Sequence, residues 1–151
     1  MKYFTRGFIN GAMSRNRMRK AISGYDRYIS SLGLSPPLDA LARLNLHDGW
    51  ILGCTHDGAT GRLALRVRRG DLQVGYLDVT LRFSELIISE KSIHLLRKGV
   101  RRSNVEILAT EPEKFERFYR YRLLLWPKGE ATLAFKAVAI KSRAVSRRGR
   151  P

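Results

Sequence analysis

Two His-Asp-Gly tripeptides, His47-Asp48-Gly49 and His56-Asp57-Gly58, are the residues of this chain most suggestive of chemistry. Adjacent His and Asp side chains bind metal in HD-type phosphohydrolases, which draw further ligands from packed helices. A first-row metal site needs at least three well-placed donors, and the remaining histidine is His94, in a basic stretch. Asp-Gly is also a backbone signal for a turn. Both tripeptides flank a predicted strand, so they read as turns, with His47 ordering the approach to the strand. No catalytic or metal-ligating residue and no cofactor is assigned.

The other candidates fall in the same way. Cys54 could pair with a histidine as a nucleophile, since a neighbouring base or cation favours the thiolate. It shares its expected alternation face with Trp50 and Leu52, however, and reads as a small buried hydrophobe. No GxSxG turn, GxGxxG loop or GKS/GKT loop occurs, which argues against those hydrolase and nucleotide-binding classes. Glu111, Glu113 and Glu116, interleaved with Lys114 and Arg117, read as a solvated turn rather than an acid/base pair.

The charge remains. The chain of 151 residues carries a formal charge of +16, and so large an excess concentrates anionic partners at the surface while repelling itself. Arginines outnumber lysines, and the guanidinium fork suits phosphate. Three groups are expected to form basic surfaces: Arg15, Arg17, Arg19 and Lys20; Arg97, Lys98, Arg101 and Arg102; and Arg147, Arg148 and Arg150. The closing Arg148-Gly149-Arg150-Pro151 has the core pattern of an AT-hook, which lays arginines in the minor groove. Phe118, Tyr119 and Tyr121 interleave with Arg117, Arg120 and Arg122, a composition also found on sheets that stack bases, although the ribonucleoprotein motif is absent.

These residues need elements to hold them. Met18, Ile22, Tyr25, Ile29 and Leu32 recur at spacings of four and three, the stripe of an amphipathic helix. Gly33 stops it, and Pro37 suits the first turn of a short helix through Leu44. The first 25 residues hold no acid, as in a transit peptide, but the stripe continues past any cleavage point and the segment reads as a structural helix. From Gly49 the period changes to two. Strands are expected around Trp50 to Thr55, Leu63 to Val67, Leu77 to Phe83, Val105 to Ala109, Phe118 to Trp126 and Ala131 to Lys141. Turns fall at Asp57-Gly58, Arg69-Gly70-Asp71, Glu111-Pro112-Glu113 and Pro127-Lys128-Gly129. Residues 89–104 read as a long basic loop with one turn of helix at Ile93 to Leu96.

A helix followed by hairpins predicts an α+β fold: an N-terminal helix packed on a mostly antiparallel sheet of about six strands. The expected domain spans residues 1–141, with a basic, flexible tail over 142–151. The lone Cys54 fits a reducing compartment and a cytoplasmic location, and no apolar run approaches the roughly 20 residues of a membrane-spanning helix.

The opening MKYFT, the segment LHDGWI, the hairpin LALRVRRGD to YLDVTLRF and the closing FYRYRLLLWPKGEATLAFKAVAI together resemble an uncharacterised bacterial family, a domain of unknown function with an MKYFT-like start, an LHDxxI element and a C-terminal LLF…ELTIxF hairpin. This chain departs from it at Gly7-Phe8-Ile9-Asn10 and at Ser103-Asn104-Val105-Glu106, where the family is more acidic. The resemblance implies a bacterial α+β protein without an assigned reaction. Somewhat similar domains serve as immunity partners of bacterial toxins. The expectation is therefore a non-catalytic binding protein whose basic surface engages an anionic macromolecule, nucleic acid first, with an immunity-like or regulatory protein that binds an acidic protein partner as the alternative.

Overall fold

The computed structural model describes residues 1–71, 73, 75–101, 105–115 and 117–145. It is α+β and antiparallel, as expected, but with more elements. Four helices, α1 (Arg6–Ile9), α2 (Arg15–Ser31), α3 (Pro36–Arg43) and α4 (Glu90–Arg101), accompany eight strands. These are β1 (Gly49–Asp57), β2 (Arg62–Asp71), β3 (Gly75–Ser84), β4 (Ile87–Ile88), β5 (Glu106–Phe115), β6 (Phe118–Trp126), β7 (Glu130–Phe135) and β8 (Ala137–Val145). They form one sheet in the order β4-β7-β6-β5-β1-β2-β3-β8.

That order forces the sheet to curl. β3, next to one end, reaches β4 at the other end through Glu85 and Leu86 alone. β7, second from the first end, reaches β8 at the far end through Lys136 alone. Linkers so short span roughly 7 to 10 Å between strand ends, so the two ends of the sheet must lie close. The Lys136 N–H donates to the Ser84 carbonyl at 3.3 Å across the seam. Inside the curl, Leu63, Leu65 and Val67 of β2, Val79, Leu81 and Phe83 of β3, and Tyr121, Leu123 and Leu125 of β6 are all essentially inaccessible. α3 packs against both β5 and β8 and sends Leu38 and Leu41 into this core.

Arg69-Gly70-Asp71 is no turn but the end of β2, paired with Leu77, Tyr76 and Gly75 of β3, and four further expectations are corrected. The stretch read as a loop from 89 to 104 is a helix, α4, over most of its described length. Its apolar phase is Ile93, Leu96 and Gly99, all buried. The Ser89 hydroxyl caps it by accepting the Ser92 N–H at 3.2 Å. Gly99 is no breaker but a point of close approach: a Cβ there would meet the Ile51 side chain at 2.8 Å.

Next, Glu111-Pro112-Glu113 is not a turn. β5 runs through it, paired with Arg122, Tyr121 and Arg120 of β6. β5 meets β1 only at Ile107 and Glu106, so beyond these its second edge is free of a strand, and there a proline's missing N–H costs nothing. The same edge shows Lys114 N–H donating to the Tyr28 hydroxyl at 3.3 Å.

Third, the α2 stripe does not lie flat on the sheet. Ile29 is its buried member and Ile22 stays 46% exposed. The helix is held by tyrosines: Tyr25 packs on Phe4 with centroids 4.8 Å apart and donates to the Ala42 carbonyl at 2.9 Å. Burial, with Tyr121 and Glu111 nearby, pushes the Tyr25 hydroxyl well above its ordinary pKa. Finally, the sheet continues into the expected tail. Ser142, Arg143, Ala144 and Val145 pair with Val79, Asp78, Leu77 and Tyr76. The rest of the tail, 146–151, lies outside the described residues.

Candidate functional site

The described residues of the basic groups singled out in the sequence stand on two separate helices. Arg15, Arg17, Arg19 and Lys20 stand exposed on the first turns of α2, and Arg97, Lys98 and Arg101 stand exposed on α4. α4 packs against β1 and β7 and meets β1 at Ile51, an inward-facing position. Arg102, Arg147, Arg148 and Arg150 lie outside the described residues, as do Glu116 and the Arg148–Pro151 hook.

The register of the sheet assembles a different basic surface. Residues directly opposite each other share a face. Gly53, Arg66, Thr80 and Lys141 therefore form one row across the outside of β1, β2, β3 and β8. Trp50, Arg68, Asp78 and Arg143 form the next row toward one end. Thr55, Ala64, Arg82 and Ala139 form the next row toward the other. Arg62, Arg66, Arg82, Lys141 and Arg143 are exposed, and none is ion-paired to a carboxylate among the described residues. With strands about 4.8 Å apart, Arg66 and Lys141 stand about 10 Å from each other.

Asp78 lies in the middle of this field and is already neutralised, while Asp57 stands at its end, opposite Arg62. Arg68 grips Asp78 through two bonds, Nε to Oδ1 at 2.7 Å and Nη2 to Oδ2 at 3.0 Å. The bond to Arg68 holds the Asp78 carboxyl below its usual pKa, with Arg66 and Arg143 adding to the effect. Trp50 closes that end. Its indole donates to Glu106 at 3.2 Å and its ring packs on Tyr76 at 6.1 Å, so it is engaged as structure rather than offered for stacking.

The aromatic and basic run of β6 is divided between the two faces of the strand. Tyr121 points into the core, while Arg120 and Arg122 turn to the other face and share Glu113 at 3.1 and 2.7 Å. Beside them Glu111 is 4% exposed, and its carboxylate accepts the N–H groups of Lys2, Tyr3 and Phe4 at 2.7, 2.8 and 3.3 Å. It straps the N-terminal segment to the sheet. An apolar groove of about 640 Å³ lies between this strap, α2 and β5, lined by Phe4, Ile22, Tyr25, Ile29 and Leu108 among others.

The two His-Asp-Gly segments differ in their detail. His47 Nδ1 lies 2.9 Å from Asp48 Oδ2, both side chains exposed. Asp48 has φ 57°, and a Cβ on Gly49 would come within 2.8 Å of the Leu46 carbonyl and the Val67 side chain. Asp57 instead closes its own turn, accepting from Ala59 N–H at 3.0 Å and from the Thr60 hydroxyl at 2.6 Å. Among the described residues no three His, Cys, Asp or Glu side chains cluster as metal ligands. A bulge between Ile51 and Gly53 turns Cys54 to the face of Ile51, away from that of Trp50. Burial pushes the Cys54 thiol up in pKa against the opposing pull of Arg97.

No protein-family model and no curated protein matches this chain. Among the described residues no helix is long and apolar enough to cross a membrane.

The outer-face cations missed in the sequence had a signal there. Arg62, Arg66 and Arg68 alternate with the apolar residues of β2, and Arg82 does so on β3. What the sequence does not carry is the pairing of β8 with β3, which aligns Lys141 and Arg143 with them.

Proposed function

We propose that this chain is a non-catalytic binding protein that engages nucleic acid through the outer face of β1, β2, β3 and β8. The observation that carries the reading is the set of cations on that face with no carboxylate partner among the described residues, Arg62, Arg66, Arg82, Lys141 and Arg143, around Asp78, which is already bound by Arg68. Like charges held this close repel one another, and the cost is relieved by a polyanion. The cations lie on strands, so their spacing is fixed before a partner arrives. With no free aromatic ring among them, the face suits phosphates rather than base edges, and binding should show little sequence preference. The basic turns of α2 and α4 enlarge the positive field around the chain. A bacterial source and a cytoplasmic location belong to the same proposal, resting on the family resemblance and the lone cysteine.

The test is titration of the full chain with duplex and single-stranded oligonucleotides over a range of salt. Affinity is expected to fall steeply, by about 0.9 log units per log unit of salt for each duplex phosphate neutralised. Arg66→Gln/Lys141→Gln should make the fall shallower. Indifference to both nucleic acids at low salt, with tight capture of an acidic protein, would overturn the reading in favour of an immunity-like partner.

A further inference from the structure

At the Asp57 end of the same face the surface sinks into a trough of about 590 Å³. It is lined by the short side chains Thr55, Ala64 and Ala139 together with Arg62, Arg82 and Asp57. We infer that this trough is a binding subsite for one phosphate group, an inference that deepens the nucleic-acid reading and rests on it where the phosphate belongs to a polynucleotide.

The register explains why two guanidinium groups meet there. Arg82 stands opposite Ala64, so Arg62, two residues before Ala64, is its diagonal neighbour. Diagonal neighbours lie roughly 7–8 Å apart, within reach of long side chains, so both forks can close on one tetrahedral anion. Neither has an acidic partner among the described residues. Asp57 is opposite Arg62 in register, yet its carboxylate is taken up by Ala59 and Thr60. The bonds from Thr60 hold Asp57 ionised and below its usual pKa, so it forms an anionic wall that repels a phosphate at the turn and confines it to the Arg82 and Ala139 side of the trough. The wall is fixed in place, because the Gly61 carbonyl accepts the Leu86 N–H at 2.9 Å. The short residues Ala64 and Ala139 leave the space between the forks open, and the hydroxyls of Thr55 and Ser84 are further donors in the lining.

Two sources could supply the phosphate, a polynucleotide chain or a small phosphorylated molecule, and the test separates them. Ala139→Leu fills the trough without altering charge, at an exposed strand position; Arg62→Gln/Arg82→Gln removes the forks and leaves the space. Circular dichroism and thermal melting verify that both variants fold. With labelled oligonucleotide, each variant should lower the salt slope by about 0.9, one duplex phosphate. Unchanged slopes in both, while Arg66→Gln/Lys141→Gln lowers its own, would overturn the subsite and leave the nucleic-acid reading standing. If the chain ignores oligonucleotides, inorganic phosphate and adenosine monophosphate become the probes. Amide resonance shifts at Thr55, Ala64 and Ala139, lost in Arg62→Gln/Arg82→Gln, would support the subsite for a small ligand and remove the polynucleotide. No shift with either probe would overturn it.

Discussion

Phe83 of β3 and Phe135 of β7 meet edge to face with ring centroids 4.8 Å apart, although their strands stand seventh and second in the sheet order. A flat sheet would hold them far apart, so this contact exists because the sheet curls on itself. Phe83→Ala should therefore both open a cavity and loosen the seam, costing about 3–5 kcal/mol. Leu81→Ala, inaccessible on the same strand, should cost about 2–5 kcal/mol. Denaturant unfolding checks both, and a change under 1 kcal/mol at Phe83 would contradict the curled core.

The fold was partly written in the sequence, and the reasons differ between elements. β2 and β3 alternate strictly because one side faces the core and the other water, and that pattern survives in any single chain. α4 was hidden because Lys98 and Arg101 dominate its last turns, while its apolar phase is completed by Gly99, which sequence reasoning takes for a breaker. Only the neighbour, Ile51, shows that a bare backbone is needed there. Pro112 misled for a similar reason. It signals a turn wherever both edges of a strand are paired, and β5 has one edge without a strand at that point. Arg62, Arg66 and Arg82 were legible as outward-facing, whereas Arg143 fell in the expected tail, and the alignment of Lys141 and Arg143 with them depends on β8 returning to β3, a pairing between residues about sixty positions apart in the chain.

Glu111 should behave as a strap rather than an acid/base group. Glu111→Ala removes the acceptor of three N–H groups and is expected to cost about 1–3 kcal/mol. The specific readout is faster hydrogen exchange at Lys2, Tyr3 and Phe4 with the sheet amides still protected. Uniform loss of protection would show instead that the strap supports the whole fold.

Stability should fall on acidification, and the sign follows from Asp78. Its folded pKa is depressed, chiefly by the bond to Arg68, so its contribution is present above the ordinary Asp value of about 3.9 and is lost as pH falls through the lower folded value. Asp78→Asn should cost about 1 kcal/mol near neutrality, as partly exposed pairs do, and flatten the acid limb of the stability profile. Melting temperature against pH measures this. An unchanged acid limb would mean that other carboxylates control it.

The His-Asp-Gly segments should prove to be backbone devices. His47→Ala and His56→Ala should leave oligonucleotide affinity unchanged and reveal no dependence on added metal. Gly49→Ala, by contrast, forces a Cβ to within 2.8 Å of the Leu46 carbonyl and should destabilise by more than about 1 kcal/mol. Stoichiometric metal lost in either histidine variant would restore a catalytic role.

The C-terminal segment must be cut in two places to be read correctly. Truncation after Ser142 removes Arg143, Ala144 and Val145, which pair with Asp78, Leu77 and Tyr76, and so strips the end of an edge strand as well as charge. That variant should melt at a lower temperature and bind oligonucleotide more weakly, two effects that cannot be separated in it. Truncation after Val145 leaves every described pair of β8 in place and deletes Arg147, Arg148 and Arg150. It should keep the melting temperature while lowering the salt slope, by about 0.9 for each duplex phosphate those arginines neutralise. An unchanged slope in the shorter deletion would confine nucleic-acid contact to residues before 146, with the sheet face carrying it; a melting temperature that falls equally in both would show that the terminal residues are part of the fold.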